Sequence, residues 1–592
     1  MIDELLTGKT LDFQQKKYIC NKMLTCEPRM EALILKNFTE EDYARINRRR
    51  IGTGQIGGKA CGVLVARKLI EKNLPEYTDS LISHDSWFIG SDVYCEYIRE
   101  KKLSDKVETG LYRVLHSIGN DPIVIRSSSI LEDGFDHGFF GKYSTVFCIN
   151  QGSLKNRMQE LKAAILKVYE SVSGASAVEY RRTRGVSEAE EQMALLVQRV
   201  EGACRGDYYM PLASGIGCSY NPYKWVENMD PHEGMLRLVV GLGTRAVERT
   251  PGDYPRLVDL GHPKGSLYTT VAERHKHSQR HMDVLDMNAG KVVSVPLQNL
   301  LPLLNQKEVR KVLSHDVEAE AMLEERGRYR AVYFADCNGI VYDNEFISMI
   351  RNTLKMLESE YERPVDIEFA IGLGEDGRIK MNLYQCRPLR QITQQNVKIP
   401  DMIDGEVLFD IKCASMWRSK SEKLDVIVRV DPQKYYECPY VQKFGVGRVV
   451  GLINHHFKDS GYKMLLLVPG RIGTSSPELG VTANYVDISC FSALCEVAYS
   501  KAGCNPDLSY GSHMFQELVE ADVFYGAITE NSKTKIYCPE ILDGYKNTFE
   551  EICPEKSEFK DMIKIYEVTN ANVWLWLDSK AGRAVCQVRC DT

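Results

Sequence analysis

The chain has 592 residues, of which 44% are hydrophobic and 26% charged, and a net charge of -6; this is the balance of an ordinary globular polypeptide, too long for one core, so two to four domains are expected. The mild acidity makes no case for nucleic acid or an anionic membrane as the main partner, no apolar run reaches the length of a membrane span, and the first residues lack a signal-peptide core, so a cytoplasmic protein is expected. The 18 cysteines are scattered singly with no Cys-x-x-Cys pair, which speaks against structural zinc or iron-sulfur and suits a reducing compartment.

Residues 1 to 50 read as a polar helical extension ending in the basic run Arg48-Arg49-Arg50, a pattern that ordinarily marks a solvated face or a linker. Next comes "IGTGQIGGKACGVLVARKLI" (51–70), four glycines and a lysine at the start of a helical pattern. Backbone N–H groups at a helix start favour an anion, glycine allows close approach, and Lys59 adds a point charge. The spacing is not that of the usual phosphate loop, Gly-x-x-x-x-Gly-Lys-Ser/Thr, and a plain hinge explains the loop equally well.

From 51 to about 390, strand-like and helix-like segments alternate. "DPIVIRSSS" predicts a strand and turn, "SLKNRMQELKAAILKVYESV" a helix, "MALLVQRV" and "LRLVVGLG" strands, and "VDIEFAIG" with "IKMNLYQCRPL" a strand pair. The mixture predicts an α/β or α+β fold. Within it, "VIRSSSILEDGFDHGFFGKYSTVF" (124–147) delivers Arg126, then serines, acids and glycines. A guanidinium can grip phosphate oxygens in a fork, with Gly141, Ser144 and Thr145 lining a channel; alternatively Arg126 pairs with Glu132 or Asp133 in a surface turn. In "DIEFAIGLGEDGRIKMNLYQCRPLR" (366–390), Glu368 leaves one strand while Gln385 and Arg387 end the next. A carboxylate and an amide oxygen are hard ligands suited to Mg2+ carrying nucleotide phosphates; the plain alternative is a hairpin with Glu368 paired to Arg387. The histidines of "ERHKHSQRHMD" (273–283), His275, His277 and His281, sit among Arg and Lys and read as a solvated helix or loop rather than a metal site.

Eight motifs occur in one order: "GGK" (57–59), "RSSSILEDG" (126–134), "FFGKYST" (139–145), "VQRV" (197–200), "ASGIGCSYNP" (213–222), "GLG" (241–243), "IEFA" (367–370) and "QCRP" (385–388). This order resembles the ATP-grasp nucleotide-binding domain of phosphoenolpyruvate synthase, pyruvate phosphate dikinase and rifampicin phosphotransferase. The resemblance implies that Lys59 and Arg126 bind ATP phosphates, that Gly141 and Thr145 belong to a lid over the triphosphate, and that Gln198 lies near the adenine-ribose side. It further implies that Glu368 and Gln385 hold Mg2+ and that Arg387 contacts the transferring phosphates. Two departures stand out: the loop between Glu368 and Gln385 is longer than usual, and "GLG" is followed by "TRAVERTPGDYP" where the family carries an acidic residue.

The polar stretch 391–405 marks a boundary, and 396–592 reads as a second α/β domain beside an ATP-grasp module at 51–395. About 200 residues are too few for both a phosphohistidine swivelling domain and a pyruvate-binding barrel, so the chain is not expected to make phosphoenolpyruvate alone. "LVPGRIGTSSPELG" (467–480) could form an anion or substrate loop. In "LSYGSHMFQELVEADVFYGAI" (508–528), Ser512-His513 precedes a helical pattern. The segment is loosely similar to the swivelling domain's phosphohistidine site, and His513 is a candidate phosphoryl carrier or general base; otherwise Ser512 caps the helix and His513 packs in its first turn. The expected activity is ATP- and Mg2+-dependent phosphoryl transfer to His513 or to a small-molecule acceptor. An ATP-grasp ligase acting through an acylphosphate and a non-catalytic ATP-sensing subunit are the alternatives.

Overall fold

The computed structural model describes residues 1–592 except 1, 7–9, 84, 136–142, 175–176, 179–180, 182–190, 222–228, 248–252, 266–269, 390–396, 401–405, 413–418, 459, 475, 503–513, 515–517, 519–520, 522 and 589–592. The chain divides into two units, one of residues 1–221, 232–247 and 252–391, the other of residues 222–231, 248–251 and 392–592. Residues 1–50 contain the helices Phe13–Met23, Pro28–Asn37 and Glu40–Arg48. Asp12 and Thr39 begin the first and third by accepting the N–H groups of Gln15 and Asp42, in each case as a reciprocal capping box. Their apolar faces (Ile19, Met23, Ile34, Tyr43, Ile46) enter the main core of the first unit, so these helices are an integral part of that unit rather than a separate extension.

Two five-stranded sheets frame the first unit. One has the order Arg50–Ile51, Trp87–Ile89, Met193–Arg199, Ile123–Ser129, Val146–Cys148, and the other Arg256–Asp259, Met235–Val240, Ala213–Cys218, Val365–Leu373, Ile379–Pro388. Five elements build the site: helix α1 (Gly58–Asn73) and strands β1 (Ile123–Ser129), β2 (Met193–Arg199), β3 (Val365–Leu373) and β4 (Ile379–Pro388); the last strand completes an antiparallel hairpin with β3. Helix α1 is apolar around most of its circumference and is buried accordingly, from Ala60 to Ile70. Gly62 is one reason it can lie so close to β4, since a Cβ there would sit 2.2 Å from the Cys386 carbonyl oxygen.

The second unit stacks an antiparallel sheet on a mainly parallel one. Strands β5 (Val426–Val430), β6 (Met464–Pro469), β7 (Phe491–Val497) and β8 (Phe524–Ile528) run parallel in that order, and Ile563–Glu567 adds an antiparallel edge beside β5. The near-continuous apolar runs of β5 to β8 are what a sheet covered on both faces requires. Ile427, Leu465, Leu467 and Cys495 face the antiparallel sheet through Phe409, Leu575, Leu577 and Cys586. Helix α2 (Tyr440–His456) makes the crossover between β5 and β6 and buries Val446, Val449, Val450 and Ile453. The whole is the mixed α/β architecture expected from the alternation of elements. Among the described residues no helix is long and apolar enough to cross a membrane.

Candidate functional site

The glycine-rich loop is filled by the protein itself. Asp92 reaches into its first half, where Oδ2 accepts from the Thr53 N–H (2.7 Å) and hydroxyl (2.9 Å) and Oδ1 from the Gly54 N–H (2.7 Å). In its second half, Gly57 has φ of +82° and a Cβ there would lie 1.6 Å from the Ser128 carbonyl oxygen; a Cβ at Gly58 would lie 1.7 Å from that of Glu132. These glycines let the start of α1 press against the end of β1 and the turn that follows. The consequence is the placement of Lys59, which is only 8% exposed. Its ammonium donates to Glu132 Oε1 (3.0 Å) and the Ser127 hydroxyl (3.3 Å). Glu132 is also fixed by the Ser127 hydroxyl (2.9 Å) and the Ser129 N–H (2.9 Å), so the buried pair has the extra hydrogen bonds such a pair requires.

Register assembles the other half. Across β3 and β4, Asp366 is opposite Arg387 and Glu368 opposite Gln385. Residues two apart share a face of a strand, so the two pairs stand side by side. Arg387 Nε donates to Asp366 Oδ1 (2.6 Å), with both groups buried. Arg126 comes from β1, and its Nη2 donates to Glu368 Oε2 (2.5 Å) and to Gln385 Oε1 (2.7 Å). A carboxylate oxygen and an amide oxygen thus converge on one cationic nitrogen. The other end of the Gln385 amide donates to both oxygens of Asp133, at 2.9 and 2.7 Å. The ion pairs read from the sequence as the plain alternatives, Arg126 with Glu132 or Asp133 and Glu368 with Arg387, are replaced by Arg126 with Glu368 and Arg387 with Asp366. The longer loop between Glu368 and Gln385 leaves them directly opposed, with a register shift just after Glu368.

The electrostatics follow from this crowding. Burial opposes ionisation of Glu368, but the guanidinium groups of Arg126 and Arg387 outweigh it and hold the carboxyl down at about 2. At Asp133 burial wins over the attraction of Lys59 and Arg387, and its carboxyl is pushed up to about 7. Burial likewise raises Asp366 against the pull of Arg387.

Gln198 lies on β2 opposite Val124, and Arg126 is opposite Leu196, so Gln198 and Arg126 share a face as diagonal neighbours, a spacing of about 7–8 Å. The Gln198 side chain is buried, and its amide oxygen has no hydrogen-bond partner among the described residues. A buried acceptor without a partner fits an amine or hydroxyl of a bound molecule. Thr145 is exposed just before Val146–Cys148. Gly141 and His513 lie outside the described residues. In the second unit, the loop after β6 contains Arg471, which is buried, and Ile472, whose N–H donates to the fully buried Glu496 (3.0 Å). Gly473, at φ of +73°, packs on the side chain of Met514, the residue after His513. Of the histidines of 273–283, His275 lies in the helix Val271–Lys276, His277 just after its end and His281 in the strand His281–Asp286. His275 bonds Asp316 (2.6 Å) and stacks on Phe334, and no group of three or more potential metal-ligating His, Cys, Asp or Glu residues occurs among the described residues.

Lys59, Arg126, Glu368, Gln385 and Arg387 therefore lie in one charged network with Glu132, Asp133 and Asp366. Glu132 and Asp133, read from the sequence only as alternative partners of Arg126, and Asp366 are the members to which the motifs assigned no role at the site. Asp366 could have been found from its spacing of two from Glu368, whereas nothing local to Asp133 signals its bond to Gln385, 252 positions away.

The family model of the pyruvate phosphate dikinase AMP/ATP-binding domain matches residues 95–406. That span includes every member of the network except Lys59. No curated protein matches the chain.

Proposed function

From the premise that this chain belongs to the pyruvate phosphate dikinase AMP/ATP-binding family, we propose that it is an ATP- and Mg2+-dependent phosphotransferase whose acceptor is either His513 or a small molecule. The observation that carries this reading is the convergence of Glu368 Oε2 and Gln385 Oε1 on one nitrogen of Arg126. The guanidinium stands where a cation fits between two hard oxygens, one of them a carboxylate that remains ionised. Two protein oxygens are few for a metal cage but suit Mg2+, which takes most of its remaining ligands from phosphate and water. Bound there, Mg2+ would neutralise phosphate oxygens during transfer. The chain's own part is to position and to balance charge. Arg126, released from Glu368, would turn to the phosphates, with Lys59 and Arg387 behind it, and Gln198 would accept from the nucleotide's base or ribose.

In the second unit, support for the His513 version is the packing of its neighbour Met514 against Gly473 in the Arg471 loop. In either version a new P–N or P–O bond forms on the acceptor as the bond from phosphorus to the leaving oxygen breaks. The products are ADP and a phosphorylated acceptor, or, if two groups leave, AMP, the phosphorylated acceptor and the phosphate formed when water takes the second group.

The test is incubation with Mg2+ and ATP labelled separately at the β and γ positions, in the full chain and in Glu368→Gln. The expected result is Mg2+-dependent loss of label from ATP, abolished in the variant. Acid-labile, base-stable label on the protein that disappears in His513→Ala would identify the histidine as acceptor. Tight ATP binding with no label released, alone or with added small-molecule acceptors, would overturn the reading in favour of an ATP sensor. ADP appearing together with an amide product would favour a ligase.

A further inference from the structure

A glutamine can serve a metal only through its oxygen, and nothing in the residue itself decides which end of the amide faces the site. Gln385 sits between two groups that do decide it. On one side Asp133, 2% exposed, offers two carboxylate oxygens, both within hydrogen-bond distance of Nε2. On the other side Arg126 Nη2 offers only hydrogens, to Oε1. Whatever the state of the Asp133 carboxyl, at least one of its two oxygens is an acceptor within reach of Nε2, and a guanidinium donates and cannot accept. Turning the amide over would set oxygen against carboxylate and N–H against N–H. Once a bound metal displaces Arg126, the constraint from that side is gone and Asp133 alone keeps the oxygen forward.

The position of Asp133 is itself well determined. It lies at φ of +56°, in the left-handed region that Asp and Asn tolerate better than most residues, and it follows Glu132, whose carboxylate holds Lys59. One turn thereby sets both the lysine and the amide.

We propose that Asp133 is a positioning residue for divalent metal: it locks the Gln385 amide with its oxygen beside Glu368, so that the two present a ready-made pair of oxygens to Mg2+ carried on a nucleoside triphosphate. The proposal rests on the nucleotide-site reading above and adds to it a residue that touches neither metal nor nucleotide.

The test is Mn2+ binding, followed by its paramagnetic signal, to the full chain with and without an ATP analogue carrying an imido group between the β and γ phosphorus atoms. Asp133→Asn is nearly isosteric, and asparagine suits the left-handed backbone, but it replaces one of the two oxygens around Nε2 with an NH2 group that a turned amide's oxygen could accept from, and so no longer enforces one amide orientation. Mn2+ affinity is expected to fall about 10-fold, the lower end of the range for groups that orient metal ligands, while the melting temperature and the metal-free binding of the analogue stay near those of the parent. The decisive variant exchanges the two groups, Asp133→Asn with Gln385→Glu. The net charge is unchanged, the hydrogen bond between the positions can re-form, and a carboxylate at 385 presents oxygen whichever way it turns. Mn2+ affinity is expected to return to within about 3-fold of the parent, the change that less than 1 kcal/mol produces.

Unchanged Mn2+ affinity in Asp133→Asn would overturn the proposal. So would an exchanged variant that stays as weak as the single one, or parallel losses of metal-free binding and melting temperature in both, which indicate packing alone. A parent protein that binds neither the analogue nor Mn2+ with it would sink the functional reading, and the proposal with it, by a different observation.

Discussion

Helices α1 and α2 use glycine in the same way and to different ends. A Cβ at Gly58 would lie 1.7 Å from the Glu132 carbonyl oxygen, and a Cβ at Gly447 would lie 1.7 Å from that of Thr482. In the second unit this close approach seats Val446, Val449 and Val450. In the first, it carries the next residue, Lys59, into a buried carboxylate. Glycine marks where backbones meet; the chemistry depends on the charge delivered at the point of meeting, and on strands β1, β3 and β4 supplying its partners.

Removing that charge gives the largest expected effect. Lys59→Met leaves Glu132 buried with hydrogen bonds but no cation, at a cost of about 3–5 kcal/mol, measurable by urea denaturation. ATP binding should fall with it, and a variant as stable as the parent would show that the pair is more solvated than the structure describes.

Next come the two glycines. Gly58→Ala and Gly447→Ala should each cost about 1–3 kcal/mol through overpacking. Only the first should also weaken nucleotide binding, measured by calorimetry at a temperature where both variants remain folded. Equal loss of ATP affinity in both would erase the contrast between the helices.

Acidity separates the groups of the network further. The Glu368 carboxyl is held at about 2, below its ordinary 4.5, so its contribution to stability is present above that value and is lost as pH falls through about 2. Asp133 is raised to about 7, so the sign reverses: its contribution is fully present below its ordinary 3.8 and is lost as pH rises through about 7. Between pH 4 and 7 the ligand-free protein should lose up to about 1.4 kcal/mol per pH unit on account of this one group. Asp133→Asn should flatten the urea midpoint across that window, and an unchanged slope would remove Asp133 as its source.

The smallest effect is expected at Thr145, which is exposed. Thr145→Val should leave stability within about 0.5 kcal/mol of the parent, with any change confined to nucleotide affinity. A large drop in melting temperature would show that the residue has a packing role.

Much of this was legible before folding. The strand Ile123–Ser129, the helix Leu154–Ser171 and the hairpin of β3 and β4 follow from local periodicity, which depends only on neighbours in sequence. The motif order named the network's main cations and hard oxygens for the same reason, because each motif is a local geometry. Illegible were the pairings, since Arg126 lies 242 positions from Glu368 and Asp133 lies 252 from Gln385. Nor could local reading foresee that Asp92 would fill the first half of the glycine loop, because any of several acids could have met those N–H groups.

Sequence alone therefore determined the alternation of elements, the apolar faces that form the cores and the family to which the chain belongs, all of which are set by residue types at short spacing. Only the tertiary structure decided which carboxylate meets which cation, which end of the Gln385 amide meets Arg126 and which meets Asp133, and that the glycines beside Lys59 press on protein backbone. Those outcomes depend on register between strands and on burial, which raises the cost of every unpaired charge until one arrangement satisfies them together.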